Sequence, residues 1–103
     1  MRFMLTFRFP NEKGNSLAKD GTMGQVVQSI LEELQPDAAY FADMEGARGG
    51  YIVLNMDDAS QIPTIAEPFF IGLDATVKIH PVMTPEDLEK ASSAIEQAAQ
   101  KYG

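Results

Sequence analysis

Hydrophobic and polar residues alternate from the start of the chain. In RFMLTFRF, residues 2–9, Phe3, Leu5, Phe7 and Phe9 face one way and Arg2, Met4, Thr6 and Arg8 the other. A period of two predicts a strand buried on one side, and Pro10 ends it. The polar stretch NEKGNSLAKDG carries two glycines, so 10–21 reads as a long loop. The period then changes: Met23, Val26, Val27, Ile30, Leu31 and Leu34 recur at helical spacing. Thr22 and Gln25 stand as a capping box would, and Pro36 stops the helix.

AAYFADM, 38–44, predicts a short second strand, EGARGG, 45–50, a turn, and YIVLNM, 51–56, the hairpin partner. Asp57 or Asp58 can cap a helix bearing Ile62, Ile65, Ala66 and Phe69 on one face. Pro63 predicts a late start or a kink, and Pro68 and Gly72 close that helix. DATVKIH, 74–80, is the fourth strand, ended by Pro81. One last helix over 84–102 has Thr84 as cap, Pro85 in first position, and a stripe of Leu88, Ala91, Ile95, Ala98 and Tyr102.

The order β-α-β-β-α-β plus a terminal helix is the ferredoxin-like α+β pattern, with a four-stranded antiparallel sheet and two helices on one face. The expected strand order is 4-1-3-2, in one domain over 1–103. The face left open would carry Met4, Thr6, Arg8, Tyr51, Val53, Asn55, Thr76, Lys78 and His80. A half-apolar face predicts a cover, from either the terminal helix or a second copy of the chain.

Gly46, Gly49 and Gly50 precede an apolar run, as in a phosphate-binding loop. Such a loop opens a helix, whose N-terminus meets the anion. These glycines lie between two strand-like runs, so they mark a hairpin.

The formal net charge of −7 counts against nucleic acid and anionic membrane as partners, because both need a cationic footprint. No cysteine is present, which removes disulfides, thiol catalysis and zinc–thiolate sites. No apolar run approaches the ~18 residues of a membrane span, and the N-terminus is too short and interrupted for a signal peptide core. The expectation is a cytoplasmic protein without metal, since one histidine and scattered acids make no ligand cluster.

The segment GGYIVLNMDDASQIPTIAEPFFIGLDATVKIHPVM, 49–83, resembles the second half of dimeric α+β barrel proteins, and is most similar to the muconolactone-isomerase-like branch and its uncharacterised small relatives. The first strand and the helix over 22–35 fit the first half. The resemblance implies a homodimer. It leaves activity open among isomerases, cofactor-independent monooxygenases, haem-degrading enzymes, peroxidases and ligand-sensing domains. Haem-binding members present a histidine from a helix. The one histidine here, His80, ends a strand, and no cofactor is expected.

This topology gathers Arg8, Tyr51 and Thr76 at one end of the sheet, with Arg48 in the adjoining hairpin, and Arg2, Asn55 and His80 at the other. Arg8 could hold a carboxylate or phenolate and Tyr51 could hydrogen-bond it. Alternatively Arg8 pairs with Asp74 or Glu45, and Tyr51 packs at a dimer interface. His80 and Asn55 are secondary candidates. Two functional readings follow. One is a homodimer binding a small, largely apolar organic molecule, as an isomerase or cofactor-independent oxygenase. The other is a non-catalytic sensor or interaction module.

Overall fold

A computed structural model describes residues 1–103. Four strands form one antiparallel sheet: β1 (Arg2–Arg8), β2 (Ala38–Met44), β3 (Ala47–Asn55) and β4 (Thr76–Pro81), in the order β2-β3-β1-β4. This is the predicted order read from its other edge. Two helices, α1 (Asn11–Asp20) and α2 (Met23–Leu34), join β1 to β2, and α3 (Ile62–Leu73) joins β3 to β4. The chain ends in α4 (Pro85–Lys90) and α5 (Ser92–Tyr102).

The alternation in β1 sets the layering. Leu5, Phe7 and Phe9 are buried beneath the helices, where they meet Ile52 and Leu54 of β3, Ile30 of α2, and Ile65, Phe69 and Leu73 of α3. Phe7 and Phe69 form the centre, with ring centroids 4.9 Å apart. No polar residue is buried, so apolar burial holds the domain together.

Residues 10–21 are a helix where a loop was expected. Leu17 is the only large apolar residue in α1, so no 3.6-residue stripe is visible in its sequence. Its other buried position is Gly14, a residue that reads as a loop signal. Gly21 closes α1 in the left-handed conformation, φ 74°, its N–H donating to Ala18 O at 3.2 Å. The Thr22 N–H donates to Leu17 O at 3.0 Å. With Thr22 committed to ending α1 and helical itself, the expected box with Gln25 does not form.

The glycine-rich stretch is a hairpin with a shorter turn than expected. Only Glu45 and Gly46 turn, both at positive φ (53° and 84°), as a two-residue hairpin loop of the mirror-image type requires. Strand β3 therefore starts at Ala47, and Gly49 and Gly50 lie inside it. A Cβ on Gly49 would collide with Phe7 O, and one on Gly50 with Tyr40 O. These glycines allow β1 and β2 to approach β3 from either side.

Asp58 caps a 3-10 turn over Ala59–Gln61 in a reciprocal box with Gln61, which delays α3 to Ile62, with Pro63 in its first turn. Pro68 does not close α3: the helix runs on to Leu73, held by the burial of Ile65, Ala66, Phe69 and Leu73. The predicted terminal helix is two, separated at Ala91.

Neither terminal helix covers the sheet. α4 and α5 contain no buried residue. The last hydrogen bond from this end to the body is Val82 N–H to Arg2 O at 3.0 Å. The chain measures 59 × 28 × 20 Å with a radius of gyration of 17.3 Å, against ~13 Å for a compact domain of about this length.

Candidate functional site

On the helical side, the β2–β3 hairpin, α1 and α2 enclose an open groove of about 960 Å³. Phe9, Met23, Val27 and Phe41 give it apolar walls, and Asn11, Asn15, Asp43 and Arg48 supply polar groups. Phe41 packs edge-on to Phe7, with centroids 6.3 Å apart and planes at 84°, yet it is 58 % exposed.

Arg48 reaches the groove because strand alternation turns it toward the helices. Its Nη1 donates to Asn15 Oδ1 of α1 at 3.1 Å. Gly14 makes room for it: a Cβ there would meet the Arg48 side chain and the Phe9 ring. Asp43 is the register partner of Arg48 across the hairpin, but its Oδ2 accepts from Gly46 N–H at 3.4 Å. Arg48 is half-buried as a residue, and its guanidinium makes no ion pair. It can take an anionic or strongly accepting ligand group, a charge-assisted contact roughly twice as strong as a neutral one.

The other expected site residues lie elsewhere. Arg8 and Thr76 are partners across β1 and β4, and Tyr51 stands opposite Thr6 of β1 and Tyr40 of β2. All three belong to the open face, with the sheet between them and Arg48. Arg8 Nε donates to Met44 O at 2.8 Å, and Arg8 pairs with neither Asp74 nor Glu45. At the far end His80 is opposite Met4, and Asn55 is opposite Arg2. Arg2 and Asn55 share Asp37 Oδ2, at 2.6 and 3.0 Å. So the sheet brings Arg8, Thr76 and Tyr51 together at one end of the open face, with His80 and Asn55 toward the other end of that face and Arg48 on the opposite face.

Asn15, Phe41 and Asp43 were not among the expected residues. The hairpin contained the signal for two of them: a two-residue turn pairs Asp43 with Arg48 and puts Phe41 on the same face. Asn15 joins them only because 11–20 is helical.

Two carboxyls titrate below the ordinary aspartate value of 3.8, and both belong to capping boxes outside the groove, Asp58 as the cap itself and Asp87 as the third residue after Thr84. Asp58 is held down first by the Ser60 backbone N–H, and Asp87 by the Thr84 backbone N–H. No group of three or more His, Cys, Asp or Glu residues could hold a metal ion. No helix is long and apolar enough to cross a membrane.

The strand order, register and one-sided helical layer define a ferredoxin-like α+β domain. The chain belongs to the family described as a domain of unknown function, DUF3303, whose profile matches residues 1–96. Comparison with curated proteins returns no match. Among solved structures, the chain is similar to the de novo designed protein Ferredog-Diesel, with 8 % identity, 79 % of this chain and 85 % of that one covered, and a TM-score of 0.47. It is also similar to MupZ from Pseudomonas fluorescens, with 14 % identity, 95 % and 83 % covered, and a TM-score of 0.41.

Proposed function

We propose that this protein is a homodimeric α+β barrel that binds a small, largely apolar organic molecule in the groove between the hairpin, α1 and α2. The observation that carries the reading is the Arg48 guanidinium, fixed by Asn15 among Phe9, Phe41, Met23 and Val27 with no carboxylate bound to it. Apolar walls with a few convergent polar groups are the usual make-up of a small-molecule site. Asp43 lies beside Arg48 and repels a second negative charge. The ligand class is therefore a monoanion, such as an aromatic carboxylate or phenolate.

Arg8, Tyr51 and Thr76 take part through the dimer in this reading, because they lie on the face that a second copy would cover. Binding alone would make the protein a sensor or carrier. An isomerase or cofactor-independent oxygenase would need a proton acceptor, and Asp43 is the one carboxylate lining the groove.

Native mass spectrometry of the freshly purified protein tests both halves. A dimer carrying added mass that is displaced by benzoate-type monoanions supports the reading. A protein that neither retains a guest nor binds any aryl monoanion in ligand-observed NMR overturns the ligand site.

A further inference from the structure

We propose that residues 83–102 are an exchanged arm, leaving their own domain to cover the open sheet face of a second copy. The inference rests on the homodimer part of the reading above and not on sheet packing directly against sheet: it names the arm as the segment that covers the face.

The arm is apolar where nothing covers it. Leu88 is 49 % exposed, Ile95 54 % and Tyr102 79 %. With Ala91 and Ala98 they recur at alternating spacings of three and four, the spacing of an apolar stripe on α4 and on α5. The profile of the family extends to residue 96, so much of the arm belongs to the shared domain.

The arm is also held away from its own sheet. Val82 is still hydrogen-bonded to Arg2 O, and α4 begins at Pro85, so only Met83 and Thr84 link them. Pro85 disfavours helical backbone at Thr84. Thr84 is extended (φ −78°, ψ 166°) and locked in a reciprocal box with Asp87. No glycine occurs between Gly72 and Gly103 to reverse the chain.

The open face offers a matching surface. Tyr40 and Tyr51 stand side by side on it, 64 % and 40 % exposed, flanked by Met4, Thr6 and Val53. Its strand positions include Arg8, Lys78 and His80 and no carboxylate, and neither Arg8 nor Lys78 makes an ion pair. The arm carries four acids, Glu86, Asp87, Glu89 and Glu96, against Lys90 and Lys101. Opposite charge favours the arm on this face, whereas two arms packed on each other would set like charges together. Lengths are compatible as well: about 27 Å at most for α4 and α5 end to end at 1.5 Å per residue, against about 23 Å for β1 at 3.3 Å per residue.

Because the chain has no cysteine, site-specific cross-linking decides the matter in the full-length protein. The double variant Thr6→Cys/Ile95→Cys is treated with a short flexible bismaleimide, with Tyr40→Cys/Tyr102→Cys as a second pair should the first fail to fold. Light scattering is recorded beforehand. The expected result is a dimer in solution that becomes mostly covalent dimer. A mixture of the corresponding single variants should also cross-link between unlike chains. Covalent monomer would overturn the exchange, since the arm would then close over its own sheet. So would Ile95→Cys chains linking chiefly to each other, or a solution dimer with no arm-to-sheet link in either pair. A monomer in light scattering would overturn the exchange and the homodimer together, while leaving the groove untouched.

Discussion

Arg48 and Asp43 are register partners on one face of the β2–β3 hairpin, yet the Arg48 guanidinium donates to Asn15 on α1 and makes no ion pair with Asp43. The cross-strand neighbour that could neutralise the arginine stands beside it unpaired, and the arginine lines an apolar groove without an ion-pair partner.

Replacing Arg48 separates binding from folding. Arg48→Met keeps the apolar stem of the side chain and removes the guanidinium that donates to Asn15. The expected loss of stability is about 1 kcal/mol, the worth of one ordinary hydrogen bond. Affinity for an aryl monoanion should fall by about tenfold or more, because a hydrogen bond to a charged group contributes roughly 1.5–3 kcal/mol. Urea titration and isothermal calorimetry measure the two effects. Unchanged affinity in Arg48→Met would remove this residue from the site.

Two glycine-to-alanine changes should move stability in opposite directions. At Gly50 a Cβ meets the Tyr40 carbonyl, which is backbone and cannot swing aside. Gly50→Ala should therefore cost more than the roughly 1–3 kcal/mol of ordinary overpacking. Gly24 lies in α2 with nothing within 4 Å of its Cβ position. Gly24→Ala should stabilise the protein by about 0.4–1 kcal/mol, chiefly by restricting the unfolded chain. Denaturant midpoints of the two variants check the signs, and equal shifts would contradict the strand packing described for β3.

The Asp87 half of the α4 capping box should weaken in acid. In the folded chain the Asp87 carboxyl is held below 3.8 by the Thr84 backbone N–H, with the Thr84 side chain second. A depressed folded-state value means the capping stability is fully present above the ordinary aspartate range. It declines as pH falls through the folded value, where the carboxylate is protonated. At pH 5–7 the Thr84 amide should be protected from exchange, and that protection should fade below the ordinary aspartate range. A carbon-detected titration should place the Asp87 midpoint below 3.8. An Asp87→Asn variant should show no such acid transition at Thr84. A midpoint at or above 3.8 would mean that the box between Thr84 and Asp87 does not hold in solution.

Local rules made most of the fold legible in the sequence. Alternation in β1, helical spacing in α2, and the Thr84–Pro85 start of α4 are each set by neighbours within a few residues, because backbone geometry fixes the periods of two and 3.6. The strand order followed from the sequence of elements alone. What tertiary structure decided involved residues distant in the chain. Residues 11–20 are helical although only Leu17 and Gly14 are buried there, and Gly14 fits because Arg48 comes from a strand more than thirty residues later to lie against it. Gly49 and Gly50 look like a turn until β1 and β2 press against β3. The grouping of candidate residues depended on the same long-range geometry. Arg8 and Arg48 share one end of the sheet, but strand parity assigns them to opposite faces, and a turn shorter than expected fixed the pairing of Arg48 with Asp43. The terminal stripe is plain in the sequence. That it lies uncovered on its own chain is a fact of the tertiary structure, because a link of two residues aims α4 away from the sheet.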